Sequence, residues 1–400
     1  MTRRNFSNLS RRQMLRGSVL GTLGLAGAAL IGCSSDDDDA EATIAPAPVT
    51  TATLPPTPAT AAATAAATAE ATAPAAPPPP PPPRAELIVL SNSSPHITVV
   101  DAQTNRTTRT ADIPDFTSWT WNDDNNFLDG SLLWLGTKDR DTNEVTIVTL
   151  DLDSLIITNS IPIGADPKNV YIGKPLADLS IVHVGMQGTG RVVAINPKTY
   201  EVISTFEGVP LGTGEDGVVC DADISVGSDG VERFVYPTLA GDSIVTLNPR
   251  TGETLAEVAT PEGSRPVMLS AAPDGNIWVQ DAGSNTNSIY DPVDLRELAR
   301  VPAGTVPVLA TFSPDGKLAY IGHSRDTIVQ VLDTETFEEV TRITAGTSAQ
   351  KVAVHPDGTR IYAILTKEAA VAVIDTASWT VVDRIEIGTN PTTPFVRTLA

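Results

Sequence analysis

Short apolar runs separated by turn signals fill the chain from residue 85 to its end, and the last two groups of runs repeat each other. The segment Phe312–Gly346 returns 42 residues later as Val354–Gly388, with the same order of apolar and polar positions. Each unit holds four short apolar or alternating runs, and Pro-Asp-Gly separates the first two. Proline presets one backbone angle of that turn, and glycine supplies the angle that other residues resist. The pattern predicts four antiparallel strands per unit.

One marker counts the units: an apolar pair ending in Asp or Asn, with Thr, Ser or Asp three residues later. It occurs at seven positions, namely Asp101, Asp151, Asn196, Asn248, Asp291, Asp333 and Asp375. An Asp or Asn side chain there can accept a hydrogen bond from the backbone two residues on, which fixes the turn between the third and fourth strands. Seven markers at intervals of 42 to 52 residues predict an all-β, seven-bladed β-propeller of four-stranded antiparallel blades.

The two ends of the repeat array predict how the ring closes. The first unit offers three strands only, over Leu87–Ser91, Ile97–Asp101 and Thr107–Ile113, and it lacks an innermost strand. After the last complete unit, Phe395–Leu399 offers one more apolar run. Pairing the two ends removes two exposed sheet edges. We therefore expect the C-terminal strand to complete the first blade.

These units resemble the YVTN family of β-propeller repeats from about Leu87 to the C-terminus. The Pro-Asp-Gly and Asp-x-x-Thr turns match best. The tetrad that names the family is less well kept, because the segments that begin at Tyr320 and Tyr362 share only the Tyr and an apolar residue with it. The family comprises bacterial and archaeal surface or secreted propellers, close to lactonase-like and quinoprotein-type propellers. The resemblance implies the fold, and it names no ligand or reaction.

The N-terminus is predicted to direct export. Residues 10–16, Ser-Arg-Arg-Gln-Met-Leu-Arg, resemble a twin-arginine signal centred on Arg11 and Arg12. The apolar run that follows, residues 19–31, is too short to span a hydrocarbon core of about 30 Å as a permanent helix. Leu-Ile-Gly-Cys ending at Cys33 resembles a lipobox, which implies an acylated cysteine, although an incidental thiol is the alternative. We predict a protein anchored by lipid on the extracytoplasmic side of a bacterial membrane, on the periplasmic side or at the cell surface.

Residues 34–84 show no apolar periodicity. Four aspartates, Asp36–Asp39, precede an Ala/Thr/Pro tract that ends in the seven prolines Pro77–Pro83. Such a composition buries no core, so we expect a disordered stalk that stiffens toward polyproline II near the propeller. The predicted organisation is a signal peptide over residues 1–33, a stalk over residues 34–84 and the propeller over residues 85–400.

The net charge of the propeller limits the kinds of molecule that it is expected to bind. Residues 85–400 contain 21 basic and 42 acidic residues, a formal net charge of −21. Nucleic acids and anionic membranes bind basic surfaces, so neither is expected to bind the propeller. The charge leaves a cationic partner or a divalent cation open, and solubility outside the cell is the simpler explanation. The acidic residues Asp216, Asp221, Asp223 and Asp229 are the closest candidates for such a cation, and a solvated loop is the alternative. We expect a monomer whose membrane contact is its lipid.

Strand direction sorts the loops into two faces. The loop face carries the connections between blades and those between second and third strands, whereas the turn face carries the Pro-Asp-Gly and Asp-x-x-Thr turns. Ligands of such rings normally bind at the loop face and the central channel. The candidate binding residues on that face are Asp166, Lys168, Asp216, Arg265, His323, Arg325 and Lys351. Ordinary solvated loop side chains are the alternative for each.

The sequence carries no catalytic motif in a fitting context. Gly322–Asp326 approaches a nucleophile elbow, but it lacks the final glycine and lies between two strands. The four histidines show no metal-binding spacing, and the chain has no Cys-x-x-Cys-His haem motif. We therefore predict no catalytic residue, no metal ligand and no cofactor, with a divalent cation left open.

Three functions stay open. The first is a membrane-anchored binding module that takes a protein, a polymer or a small molecule at its loop face. The second is a lactonase-like hydrolase, with or without a metal, which would use Asp166, Asp216, Arg265 and His323 by position alone. The third is a redox or cofactor-associated subunit. Carboxylates and a histidine converging in the channel would favour the hydrolase, and a channel that is apolar or holds only scattered polar groups would favour the binding module.

Overall fold

Seven β-sheets surround a common centre in the computed structural model, which describes residues 83–92, 95–113, 118–119, 128–207, 221–238, 241–388 and 390–399. The first blade contributes β1 (Ala85–Ser91), β2 (His96–Asp101) and β3 (Arg106–Asp112). The second blade comprises β4 (Ser118–Trp119), β5 (Leu128–Asp129), β6 (Leu132–Lys138), β7 (Glu144–Asp151) and β8 (Ile156–Ala165). The third blade comprises β9 (Val170–Ile172), β10 (Val182–Met186), β11 (Arg191–Ile195) and β12 (Val202–Phe206).

The four remaining blades are regular, with four strands each. The fourth blade comprises β13 (Asp223–Val226), β14 (Glu232–Thr238), β15 (Ser243–Leu247) and β16 (Thr254–Ala259). The fifth blade comprises β17 (Pro266–Ala271), β18 (Ile277–Asp281), β19 (Thr286–Tyr290) and β20 (Glu297–Pro302). The sixth blade comprises β21 (Pro307–Phe312), β22 (Leu318–His323), β23 (Ile328–Asp333) and β24 (Glu339–Thr344). The seventh blade comprises β25 (Ala349–Val354), β26 (Arg360–Leu365), a short 3-10 helix (Thr366–Glu368), β27 (Ala370–Asp375) and β28 (Thr380–Glu386).

The last strand, β29 (Pro391–Thr398), lies beside β1 and takes the innermost place in the first blade. The two strands pair antiparallel from Ala85 with Thr398 to Ser91 with Pro391. The predicted fold class, seven blades and C-terminal closure are therefore confirmed. The closing strand is longer than the predicted Phe395–Leu399, because it begins at Pro391.

The second blade departs from the four-strand pattern. Both β4 and β5 pair with β6, at Ser118 with Lys138 and at Leu128 with Leu133. The innermost position is thus divided between two short segments. No helix among the described residues is long and apolar enough to cross a membrane.

The marker residues build the same turn in each blade. The Asp101 carboxylate accepts hydrogen bonds from the backbone N–H groups of Gln103 and Thr104 and from the Thr104 hydroxyl, at 2.8 to 3.0 Å. The residue four places after each marker donates its N–H back to the marker carbonyl and has a positive φ. These residues are Asn105, Leu155, Tyr200, Gly252, Leu295, Phe337 and Trp379. Large side chains rarely adopt this left-handed conformation, so the sequence pattern did not predict it.

Apolar side chains fill the spaces between adjacent blades. Trp278 of the fifth blade meets Phe312 and Phe337 of the sixth, with ring centroids 5.7 and 5.9 Å apart. The inner three strands of each regular blade are mostly buried, and the outer strand is exposed at alternate positions, as in β16 and β28. This packing fixes the inner strands whose ends form the site described next.

Candidate functional site

Apolar side chains meet in the middle of the ring. Tyr171 of the third blade packs in one cluster with Val267 and Met268 of the fifth blade and with Val308 and Leu309 of the sixth. All five are buried. The third and sixth blades are not neighbours, so this cluster crosses the central channel. The side chains that these three blades contribute to the centre at this depth are therefore apolar.

Two clefts open at the turn face, where the inner strands end. Their volumes are about 360 and 270 Å³, and they share Thr311 and Phe312. We call them together the turn-face mouth. The first cleft draws on the third to sixth blades, and the second draws on the first, second, sixth and seventh. The residues that line the mouth include Lys174, Ser270, Phe312, Pro314, Pro394 and Phe395.

Aromatic and proline rings give the mouth its apolar surface. Phe312 ends β21, Phe395 lies on β29, and both are half-buried. Pro394 lies beside Phe395, and Pro314 follows Phe312 in the Pro-Asp-Gly turn. Half-buried aromatic rings at a cleft present flat apolar surface to a ligand while their inner edges remain packed.

Asp223 places a cation beside this surface. Its carboxylate is fully buried, and one oxygen, Oδ2, accepts hydrogen bonds from the Ala271 N–H at 2.8 Å and from the Lys174 ammonium at 3.0 Å. The Lys174 side chain is 42% exposed. An ammonium has three donors, so donors remain for the cleft after the bond to Asp223.

Ser270 adds a hydroxyl to the first cleft. The residue is 2% exposed, and its Oγ has no hydrogen-bond partner among the described residues. Buried polar atoms nearly always have a partner, so an unpaired hydroxyl lining a cleft marks a place for a polar ligand atom or water. Together, Ser270 and Lys174 give the first cleft two hydrogen-bond donors beside its apolar surface.

Where the structure describes them, the carboxylates predicted as cation ligands are bonded to other groups of the protein. Asp221 accepts a hydrogen bond from the Leu269 N–H at 3.1 Å, and Asp223 bonds as given above. Asp229 forms an ion pair with Arg233 at 2.6 Å, which lowers the pKa of Asp229 to about 2. Within the described ranges, no three His, Cys, Asp or Glu side chains are grouped as a metal site would require.

The structure places Asp166 inside the protein. It is fully buried, Oδ1 accepts hydrogen bonds from the N–H groups of Lys168 at 2.8 Å and Gly188 at 2.9 Å, and Oδ2 accepts from Thr189 N–H at 2.9 Å. This carboxylate joins two loops of the third blade. Lys168, two residues on, is half-buried.

His323 is also fully buried. Its Nε2 accepts a hydrogen bond from the Gly304 N–H at 3.0 Å, and its Nδ1–H donates to the Ile328 carbonyl at 3.2 Å. A ring nitrogen that accepts a hydrogen bond carries no proton, so the ring is neutral. Burial lowers the pKa of His323 to about 4. Arg325, two residues further, is exposed.

The other candidates lie apart from these. Lys351 is fully buried on β25, and Arg265 is half-buried with its N–H held by Asp242 at 2.7 Å. The described candidates therefore come from the third, fifth, sixth and seventh blades, and as binding residues they stay predictions. The predicted residues Asp216, Arg11, Arg12 and Cys33 lie outside the described residues.

Sequence reasoning missed the turn-face mouth. Its residues belong to different units, and each alone is ordinary: a lysine after β9, a serine within β17, an aromatic residue before a Pro-Asp-Gly turn. The available signal was the position of Phe312 at the end of an inner strand, which places it at the channel rim.

Comparison with known proteins identifies relatives in fold only. No family model matches the chain, and no curated protein matches it. Its structure is similar to candidate 6-phosphogluconolactonases from Bacteroides uniformis (16% identity, 79% of this chain and 99% of that one, TM-score 0.60) and Bacteroides fragilis (14%, 80% and 100%, TM-score 0.61). It is also similar to a functionally unknown protein from Desulfotomaculum acetoxidans (13%, 76% and 98%, TM-score 0.58). At these identities the likeness shows a shared propeller fold.

Proposed function

We propose that this protein is a binding module that takes extended, proline-containing polypeptide segments at its turn-face mouth. One observation carries the proposal: the half-buried rings of Phe312 and Phe395 lie in a mouth whose free hydrogen-bonding groups include the donors of Lys174 and Ser270. Proline-rich segments dock into aromatic-lined grooves, and their carbonyls are acceptors without matching backbone donors. The mouth and such a segment are therefore complementary.

The site of action in this proposal is outside the cytoplasm. The twin-arginine-like residues Arg11 and Arg12 and the lipobox-like Cys33 support export and lipid anchoring. The formal net charge of −21 over residues 85–400 supports solubility and a monomeric state. In this view the propeller presents its mouth to proteins of the same compartment.

The test is fluorescence polarisation with a fluorescein-labelled decaproline peptide added to the full chain. We expect Phe312→Ala or Phe395→Ala to weaken binding about tenfold, the effect of losing about 1.4 kcal/mol from an aromatic contact. Lys174→Met should weaken it less, because the apolar contacts remain. Val382→Ala is the matched control, since Val382 is 56% exposed on the outer strand β28. Equal affinity in all these variants would refute the proposal.

The lactonase-like hydrolase and the redox subunit stay predictions that no observation here favours. Asp166 and His323, two of the residues considered for hydrolysis, are buried, hydrogen-bonded and on different blades. The likeness to candidate 6-phosphogluconolactonases is one of fold alone.

A further inference from the structure

The chain enters the propeller at the turn face. β29 begins at the loop face with Pro391 and ends at the turn face with Thr398, and β1 runs antiparallel to it. Ala85, the first residue of β1, pairs with Thr398, and the Leu399 N–H donates to the Arg84 carbonyl at 2.7 Å. The segment that precedes β1 therefore arrives on the face that carries the mouth.

The arrival point adjoins the second cleft. Pro394 to Arg397 line that cleft, and Arg397 pairs across the strands with Glu86. Neighbouring strands lie about 4.8 Å apart, so β1 starts one strand away from the cleft wall. Pro83 and Arg84 are exposed there.

The sequence just before this point is the proline run Pro77–Pro83. In polyproline II, seven residues extend about 20 Å at about 3.1 Å each, so a run that ends at Pro83 is several times longer than the spacing between neighbouring strands. The run carries no charge and no backbone N–H group. It is thus the one segment of this chain that has the chemistry proposed for the ligand and also ends beside the site.

We propose that Pro77–Pro83 docks in the turn-face mouth of its own chain and competes there with external segments. This inference rests on the proposed function. The rings of Phe312, Phe395 and Pro394 would pack against the prolines, and Lys174 and Ser270 would donate to proline carbonyls. A short tether gives a local concentration in the millimolar range, so even a weak site is occupied most of the time.

The experiment compares the full chain with a full-length variant in which Pro77–Pro83 is replaced by a Gly/Ser sequence of equal length. The probe is the labelled decaproline peptide. We expect the variant to bind the peptide about tenfold more tightly. This is the effect of removing a competing segment whose effective concentration is about ten times the dissociation constant with which it binds the mouth. Replacing Pro55, Pro56 and Pro58 by serine is the matched control and should leave the affinity unchanged.

The outcomes separate the two proposals. If both chains bind the peptide with equal affinity, and Phe395→Ala abolishes that binding, self-docking is overturned and the binding function stands. Absence of peptide binding in both chains would overturn both. A concentration-dependent dimer in sedimentation velocity that disappears in the Gly/Ser variant would assign the run to a second copy, which also overturns self-docking. Hydrogen exchange is the second readout, and we expect faster exchange near Phe312 and Phe395 in the variant.

Discussion

His183 and His323 are both buried, and burial favours the neutral form of each ring because a charged ring would lose its hydration. The Nε2–H of His183 donates to the Pro249 carbonyl at 2.6 Å, and His323 is held between Gly304 and Ile328 as described. Burial lowers the pKa of each to about 4. Both side chains therefore belong to the packing of their blades.

This pair should make the fold sensitive to mild acid. In the unfolded chain a histidine takes up a proton near pH 6.5, whereas these two stay neutral in the fold down to about pH 4. Stability is then complete above pH 6.5 and falls as the pH drops toward 4, by about 3 kcal/mol per histidine. Urea unfolding at pH 7.5 and pH 4.5 measures the loss.

The matched variant is His323→Gln, whose amide can still donate and accept but does not titrate. We expect it to lose less stability than the wild type between those two pH values, even if it starts lower at pH 7.5. The same pH slope in both proteins would contradict the assignment of a neutral, buried His323.

The position of a residue at the end of a strand does not show whether its side chain is exposed. The sequence placed His323 and Asp166 on the loop face because both lie where strands end. In the structure, backbone N–H groups of neighbouring loops, such as Gly304 and Gly188, turn inward onto them. A sequence pattern gives the end of a strand, but it does not show whether the next loop folds over that end.

At the scale of elements, the turn between third and fourth strands was predictable because one side chain builds it. Hydrogen bonds from backbone N–H groups lower the pKa of that Asp, with the Thr104 N–H the main cause at Asp101 and the Ser154 N–H at Asp151. At Asp151 the pKa falls to about 2. The third and fourth blades use Asn196 and Asn248 instead, and these accept the same backbone bonds at 2.8 to 3.2 Å.

We predict that changing four of the Asp markers, those whose pKa the turn lowers, to Asn flattens the response to strong acid. An Asp with a lowered pKa stabilises the fold above its unfolded pKa, near 3.9, and this contribution disappears as the pH falls through the folded value. The variant combines Asp101→Asn, Asp151→Asn, Asp333→Asn and Asp375→Asn. Its melting temperature by circular dichroism should stay near wild type at pH 7 and should drop less than wild type between pH 4 and pH 2. A parallel drop would show that these turns do not set the acid response.

At the scale of the whole molecule, one carboxylate joins both ends of the repeat array. Glu86 on β1 accepts hydrogen bonds from Arg397 of β29 at 2.7 Å and from Arg109 of β3 at 2.8 Å. Arg397 also binds Asp153, in the turn of the second blade, at 2.7 Å. The Arg397 side chain is 7% exposed and that of Glu86 is 13% exposed, so the pair between them is little screened by solvent.

Arg397→Met should therefore destabilise the closed ring by about 3 kcal/mol, because it leaves Glu86 without its most buried partner. The control is Arg296→Met. Arg296 and Asp294 form a pair at 3.9 Å, and both side chains are more than 60% exposed, so the loss there should be under about 1 kcal/mol. Equilibrium unfolding in urea compares the two. Similar losses in the two variants would mean that the Glu86 cluster does not hold the ring closed.

The fold was predictable almost entirely, and the site was not, for one physical reason. Blade number and closure depend on features that recur in every unit, such as the markers at Asp101 and Asp375, so each copy supports the others. The turn-face mouth is assembled from single residues of different units, such as Lys174, Ser270 and Phe312, and it has no repeat to reveal it. The left-handed residues after each marker recur, but their types vary from Gly252 to Trp379.

Closure by the C-terminal strand also gives the strongest test of the architecture. A chain ending at Gly388 lacks β29, so β1 becomes an exposed inner edge and its buried side chains Leu87 and Val89 lose their cover. We expect this chain to aggregate or to pair through that edge, and to lose its cooperative melting transition. A chain that ends at Leu399 keeps the whole strand and should behave as wild type in size-exclusion chromatography and calorimetry. A monomeric, normally melting chain after removal of β29 would mean that the remaining blades hold the ring without the closing strand.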